Sequence, residues 1–253
     1  MMQDERTGGI QAIARAGAVL RALEQRPEGA SLAELAQAVE LPKSTVHRLV
    51  GALASEELTD VEAGGHVHLG PALARLAAAT RPALVKRLRG LIEELSAELQ
   101  ETVDLAVLDG GAMRFVDQVP GPQRLRAVSA VGEEFPLHCT ANGKAMLAAL
   151  EPHAAFALLP ARLPRLTPHT ITSRARLANE LEQVRKTGIA YDREEHTEGI
   201  CAVGAIVFDQ AGPAGALSVP VPGQRFEQEQ AGYAEALVKV AKRGSVLLGC
   251  RST

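Results

Sequence analysis

Five polar residues within six positions, Lys43, Ser44, Thr45, His47 and Arg48, are of the types that bind phosphate oxygens and base edges. Their spacing places them on the outer face of a helix. Val46, Leu49, Val50 and Leu53 recur at helical intervals and turn inward, which leaves the polar set facing out. A second periodic set, Leu32, Leu35, Ala36 and Val39, comes just before, and Ser31 with Glu34 three residues on forms a capping box at its start. Two short helices joined by a tight turn, the second opening on hydroxyls and cations, form the layout of a helix-turn-helix. Such a reading helix enters the major groove N-terminus first. Pro42 suits a first turn, where its missing N–H is no loss. On these residues alone, the competing reading is a plain helical hairpin.

The elements around this segment favour the DNA reading. Residues 59–61 and 66–69 read as two strands around Glu62-Ala63-Gly64-Gly65, a wing that brings His66 to the same surface. Upstream, Ile13, Gly17, Leu20 and Leu23 mark a supporting helix that ends before the breaker cluster Arg26-Pro27-Glu28-Gly29. Between Glu62 and Glu93 there is no acidic residue, while Arg75, Arg81, Lys86, Arg87 and Arg89 fall there with His66 and His68, so backbone contact with DNA is expected along this run. The net charge of −3 over 253 residues argues against a chain that coats nucleic acid indiscriminately. Any affinity for DNA must come from local charge.

Other reactive residue types make weaker cases. Cys139, Cys201 and Cys250 are odd in number, far apart and without Cys-x-x-Cys spacing, which fits a reducing compartment and neither a disulfide framework nor a zinc ribbon. His138 beside Cys139 is a poor nucleophile–base pair, because adjacent residues of an extended segment point to opposite faces. The run Asp192, Glu194, Glu195, His196 and Glu198 has metal-ligand types but lacks paired histidines at helical spacing, so a solvated, salt-bridged turn is expected and no metal or other cofactor. The first residues, MMQDER, lack the basic and apolar regions of a signal peptide, and no apolar run approaches a membrane span. A cytoplasmic chain with no membrane partner is the expectation.

The remaining chain is long enough for a larger second domain. Residues 71–79 read as an alanine-rich helical piece, and Pro82 opens a longer helix to residue 100 with Leu84, Leu88, Leu91, Leu95 and Leu99 in register. Beyond it, residues 102–108 and 114–119 are strand-like around a turn at Asp109-Gly110-Gly111, and residues 125–130 form a third strand candidate. A helix is expected over 140–150 and another over 174–187. Strands follow at 189–191, 200–208 and 214–219, then a final helix over 227–248. The 200–208 run is apolar on both faces and so reads as a central buried strand. The fold class is α+β, and the irregular alternation of strands and helices argues against a Rossmann or barrel enzyme.

The reading helix LPKSTVHRL, the wing ending in HLGPAL, and the segments EFPLHCTANGKAMLA and GIAYDREEHTEGICAVGAIVFD occur in that order over nearly the whole chain. Together they resemble the isocitrate lyase regulator (IclR) family of bacterial transcription factors. The resemblance implies a winged helix-turn-helix domain over 1–80, a linker helix over 81–100 and a GAF-like effector domain over 101–253, with a mostly antiparallel sheet flanked by helices. It implies a homodimer or a tetramer built as a dimer of dimers, a double-stranded DNA operator and a small-molecule effector. Matched position by position, the effector residues would be Leu125 and Phe135 as apolar walls, Ala141 and Asn142 at a helix opening, Asp192, Ala202 and Ser218. The helix opening at residues 140–143 would favour an anion such as an organic acid's carboxylate. Asp192 would accept from a ligand hydroxyl or amine. Glu40 departs from the family, which has glycine in the helix-turn-helix turn. A ligand-responsive regulator without catalytic residues is therefore the leading reading. A DNA-binding architectural protein without effector and an enzyme on a GAF-like scaffold are the alternatives.

Overall fold

The structure, a computed structural model, describes residues 4–250. It divides into two compact units, Met1–Arg81 and Pro82–Thr253.

The first unit runs α1 (Asp4–Glu24), β1 (Ala30–Ser31), α2 (Leu32–Ala38), α3 (Lys43–Ser55), β2 (Thr59–Val61) and β3 (His66–Leu69). Its core is Val19, Leu23, Ala30, Leu35, Val46, Val50, Leu53 and Val67, with Leu20, Leu32, Ala36, Val39 and Leu49 packed at the edge. Of the expected stripe, Leu20 and Leu23 meet the core, whereas Ile13 is exposed, and Val19 is the fully buried residue that the expected stripe left out. The wing forms as expected: β2 and β3 pair antiparallel with Thr59 opposite Leu69 and Val61 opposite Val67. A short strand not foreseen, β1, adds Ser31 opposite His66 on the other edge of β3.

The turn between α2 and α3 explains the unusual Glu40. The Leu41 N–H reaches back to the Ala36 carbonyl and the Glu40 N–H to the Gln37 carbonyl, which is the Schellman closure of a helix. That closure requires a left-handed residue between them, and Glu40 sits at φ 52°. A non-glycine residue there costs about 1 kcal/mol. Pro42 lies one position earlier than expected, as the N-cap of α3 instead of within its first turn.

The second unit continues α4 (Pro71–Leu99), whose first part belongs to the first unit, through β4 (Val103–Asp109), β5 (Ala112–Val119), β6 (Glu134–Pro136), α5 (Ala141–Ala149), α6 (Pro152–Ala157), α7 (Arg174–Thr187), β7 (Ala190–Arg193), β8 (Ile200–Phe208), β9 (Pro213–Pro222) and α8 (Gly223–Leu247). The six strands form one antiparallel sheet in the order β6-β5-β4-β9-β8-β7. Strand alternation divides its side chains between two cores. Leu105, Val203, Val207, Leu217 and Val219 face Leu88, Ile92, Leu95, Leu237 and Val240 of α4 and α8. Ala106, Met113, Phe115 and Ala216 face Met146, Leu147, Leu177 and Leu181 of α5 and α7.

Two expectations about elements are corrected, and one about a turn holds. The pieces expected at 71–79 and from Pro82 onward are one helix with Pro82 inside it. Proline there removes one helical hydrogen bond, but the helix runs on through it, with Leu88 and Leu95 of the following stripe fully buried. Residues 125–130 are not a strand: they lie in an irregular connection, and the strand that pairs with β5 is β6, with Phe135 opposite Met113. The turn at Gly110-Gly111 has φ 58° and 89°, the two left-handed positions of a tight hairpin, as the sequence implies.

Candidate DNA interface and effector site

On α3, Lys43, Ser44, His47 and Arg48 are exposed and Thr45 is half-buried, while Val46 and Val50 are fully turned inward. His66 is exposed on the wing. Among the described residues, no ion pair or side-chain hydrogen bond engages Lys43, His47 or Arg48, so their donors are free for a partner. Three arginines of the basic run after the wing already have partners within the protein. Arg75 pairs with Glu57 at 2.6 Å, Arg89 with Glu93 and Asp117 at 2.7 Å each, and Arg87 donates to the Leu247 carbonyl. Acids outside the run reach these side chains, which the local charge count could not register.

In the second unit, α5 approaches the sheet at Gly204 so closely that a Cβ there would lie 2.5 Å from the Ala141 carbonyl carbon. Beside this contact is a cavity of about 190 Å³. Phe135, Ala141, Asn142, Asp192, Ala202 and Ser218 line it, six of the seven expected effector positions. Leu125 does not: it is 70% exposed in the irregular connection, and its carbonyl accepts from Arg225 at 2.9 Å. The residues that line that side of the cavity are Ala127, Val128 and Ser129. A larger open groove, about 720 Å³, lies along α5, α7 and α8, but no buried titratable group lines it.

Thr140 caps α5, its hydroxyl accepting from the Gly143 N–H at 3.2 Å, while the Asn142 side-chain oxygen accepts from the same N–H at 2.8 Å. Gly143 therefore has no free N–H for a ligand. Among the described residues, nothing accepts from the N–H groups of Ala141 and Asn142. One wall is aromatic: Phe135 stacks on His196 with centroids 4.2 Å apart and meets Phe115 edge-on at 4.9 Å. Burial pushes the His196 imidazole below its usual range, so the ring in this wall is neutral.

The polar floor contains two carboxyl groups. Asp192 on β7 is 6% exposed, and its Oδ1 accepts from the backbone N–H of Glu195 at 2.7 Å and of His196 at 3.4 Å. Asp104 on β4 is 1% exposed and accepts from Gln118 Nε2 at 2.7 Å and Ser129 Oγ at 3.3 Å. Burial pushes each carboxyl up to about 7. Asp104 and His196 were missed in the sequence. An aspartate within the apolar strand VDLAVL is a signal for the first; His196 was read with its acidic neighbours as a solvated turn.

That turn is solvated only in part: Arg193, Thr197, Glu198 and Gly199 are exposed, while Asp192 and Glu195 are buried. Glu195 is buried and its carboxylate meets the ammonium of Lys144, itself 0% exposed, which also reaches Glu180 at 3.1 Å. The Glu195 carbonyl accepts from Thr170 Oγ1 at 2.6 Å, and Glu194, at φ 59°, accepts from the Gly199 N–H at 2.9 Å. The segment 192–199 is thus a tied loop that places Asp192 and His196 at the cavity. Among the described residues, no group of histidine, cysteine or acidic side chains is arranged to hold a metal ion. The Cys139 thiol is pushed up to about 12, by burial first and by Asp192 and Glu195 next, and His138 is bonded to the Pro164 carbonyl at 2.9 Å. Neither is set as a nucleophile and its base.

Known families bear on both surfaces. Residues 12–60 match the IclR helix-turn-helix domain, and residues 76–246 match the family described as bacterial transcriptional regulator IclR C-terminal. The chain belongs to the IclR family. It is a transcriptional regulator with an N-terminal helix-turn-helix domain and a C-terminal effector-binding domain. It is similar to the HTH-type transcriptional regulator Rv1719 of Mycobacterium tuberculosis, 52% identical with 93% of this chain and 92% of that protein covered. It is also similar to the HTH-type transcriptional regulator TtgV of Pseudomonas putida, 36% identical with 92% and 90% covered. Among solved structures, the IclR protein of Thermotoga maritima matches at TM-score 0.64 and 26% identity, with 95% of this chain and 99% of that one covered. An IclR homologue of Microbacterium hydrocarbonoxydans, solved as a complex with 4-hydroxybenzoate, shares the fold at TM-score 0.62 and 21% identity, with 95% and 100% covered. No helix among the described residues is long and apolar enough to cross a membrane.

Proposed function

We propose that this IclR-family regulator reads a double-stranded operator with Lys43, Ser44, Thr45, His47 and Arg48 of α3 and His66 of the wing, and that a small organic acid in the cavity beside α5 changes its affinity for that operator. The observation that carries the effector reading is the convergence of Phe135, Asn142, Asp192, Ala202 and Ser218 on one cavity. Its volume is below the roughly 300–1,000 Å³ of sites for drug-sized ligands, which favours a compact metabolite. The ligand carboxylate would take the N–H groups of Ala141 and Asn142, where the partial positive charge of the helix end favours an anion. A hydroxyl on the same molecule would donate to Asp192.

The protein acts as a switch between binding states and performs no chemistry on the ligand; the thiol held protonated at Cys139 supports this reading. One winged unit covers only a half-site, so the operator complex is a homodimer, or a tetramer formed from two dimers, on a roughly palindromic site. The domain limits that follow are 1–80 for DNA, 81–100 for the linker helix and 101–253 for the effector, in the cytoplasm. A thermal-shift screen with small organic acids, followed by mobility shift on the DNA upstream of its own gene, tests the proposal. A hit that raises the melting temperature and alters the shift supports it. A hit that is converted to another compound refutes it.

A further inference from the structure

The cavity's chemistry narrows its occupant further than the general reading, and the argument rests on that reading's assignment of the effector site. No lysine or arginine lines the cavity; its ionisable groups are Asp104, Asp192 and His196. Asp104 belongs to β4 and Asp192 to β7, and β9 and β8 lie between them in the sheet. Three strand spacings of about 4.8 Å put their backbones roughly 14 Å apart, at two ends of the cavity floor. Asp192 has its Oδ1 occupied by two backbone N–H groups, and among the described residues nothing donates to its Oδ2. The nearest cation on α5, Lys144, is committed to Glu195 and Glu180. The rest of the lining is mostly apolar or aromatic, with Phe115, Phe135, His196, Ile200, Ala202 and Pro220, and on β9 it carries the Ser218 hydroxyl opposite Asp104 in register.

We propose that the effector is a small, flat molecule carrying a hydroxyl or amine donor at each of two ends, one donating to Asp192 and the other to Asp104, and that these donors set its affinity more than any carboxylate does. On the floor between Asp104 and Asp192 a ligand anion has no facing cation and meets repulsion from whichever carboxyl is ionised, whereas a donor there satisfies the free Oδ2 of Asp192 and adds to the contacts that Asp104 already accepts; a carboxylate on the same molecule is left to the N–H groups of Ala141 and Asn142. Burial, which pushes both carboxyls up to about 7, agrees with this geometry: the protein gives neither a counter-charge, and each keeps an oxygen that can accept from a ligand donor in either protonation state. The stacked Phe135–His196 wall suits a planar middle.

Calorimetry on the full chain with three probes tests this. The probes are 4-hydroxybenzyl alcohol with a donor at each end, 4-methoxybenzyl alcohol with one donor masked, and benzoate with a carboxylate and no donor. The first should bind at least about tenfold more tightly than either of the others, as sites built to hydrogen-bond a hydroxyl reject analogues lacking it. Asp192→Asn keeps the Oδ1 acceptor for the loop but turns an amide donor into the cavity, and should weaken 4-hydroxybenzyl alcohol about tenfold while leaving benzoate unchanged or tighter. Benzoate binding as tightly as the two-donor probe, no effect of Asp192→Asn, or no binding of the two-donor probe at millimolar concentration would each overturn the inference. Preference for benzoate with an altered operator affinity would leave the regulator reading intact. The expected probe pattern without any effect on operator affinity would instead sink that reading and leave the donor assignment standing.

Discussion

Replacing Asp192 with asparagine changes almost nothing in shape and removes one buried ionisation, so its effect on stability must depend on pH with a definite sign. The folded carboxyl titrates at about 7, against 3.8 for the ordinary group, and burial is the main cause. Between those two values the folded protein holds a proton that the unfolded chain has already released. Stability contributed by this group is therefore complete below about pH 4 and is lost as pH rises toward 7. At about 1.4 kcal/mol for each pH unit, the full difference is about 4 kcal/mol, of which about 2.5 kcal/mol develops between pH 5 and pH 8. Asparagine does not ionise, while its Oδ1 still accepts from the Glu195 and His196 N–H groups. The variant should therefore gain on the parent by about 2.5 kcal/mol over that interval, or about 5–10 °C in melting temperature for a domain of this size. The chain has no tryptophan and two tyrosines, Tyr191 and Tyr233, both in the second unit, so near-ultraviolet circular dichroism of tyrosine follows the relevant unit selectively. A difference between variant and parent that is constant with pH, or that shrinks as pH rises, would refute the reasoning.

Three further outcomes follow from the local geometry. Arg48→Ala should lower affinity for the specific operator by about 1–3 kcal/mol, read by fluorescence anisotropy, with little change on unrelated DNA if the guanidinium reads a base edge. Glu40→Gly should stabilise the first unit by about 1 kcal/mol in urea unfolding, because it relieves the left-handed strain at φ 52°. Lys144→Ala should destabilise the second unit by about 3–5 kcal/mol, since it strands the buried Glu195 carboxylate, and Lys144→Met combined with Glu195→Met should recover most of that loss.

The helix-turn-helix was readable because its signals are local. Ser31 and Glu34 cap a helix within one turn, and Val46 and Val50 define the inward face of α3 without help from distant residues. The β8 strand was readable for a similar reason, as nine residues apolar on both faces have few other places to go. The cavity was only partly visible. Phe135, Asn142 and Asp192 came from the family resemblance, whereas Asp104 enters through the pairing of β4 with β9, a contact more than a hundred residues apart in sequence. Leu125 came from the same resemblance but falls outside the cavity, because residues 125–130 have a strand-like composition and no partner strand, and the Leu125 carbonyl is held by Arg225 in an exposed connection. The Lys144–Glu195 pair escaped notice because charged residues are surface residues by default, and only tertiary packing buries these two together.

The central claim is that effector and operator binding are coupled, and one reciprocal measurement tests it most directly. Operator affinity is titrated by anisotropy with and without a saturating cavity ligand, and ligand affinity is titrated by calorimetry with and without operator. The account predicts that both affinities change by one common factor, on the order of 5- to 150-fold. Operator affinity that is the same with the cavity filled and empty would contradict it.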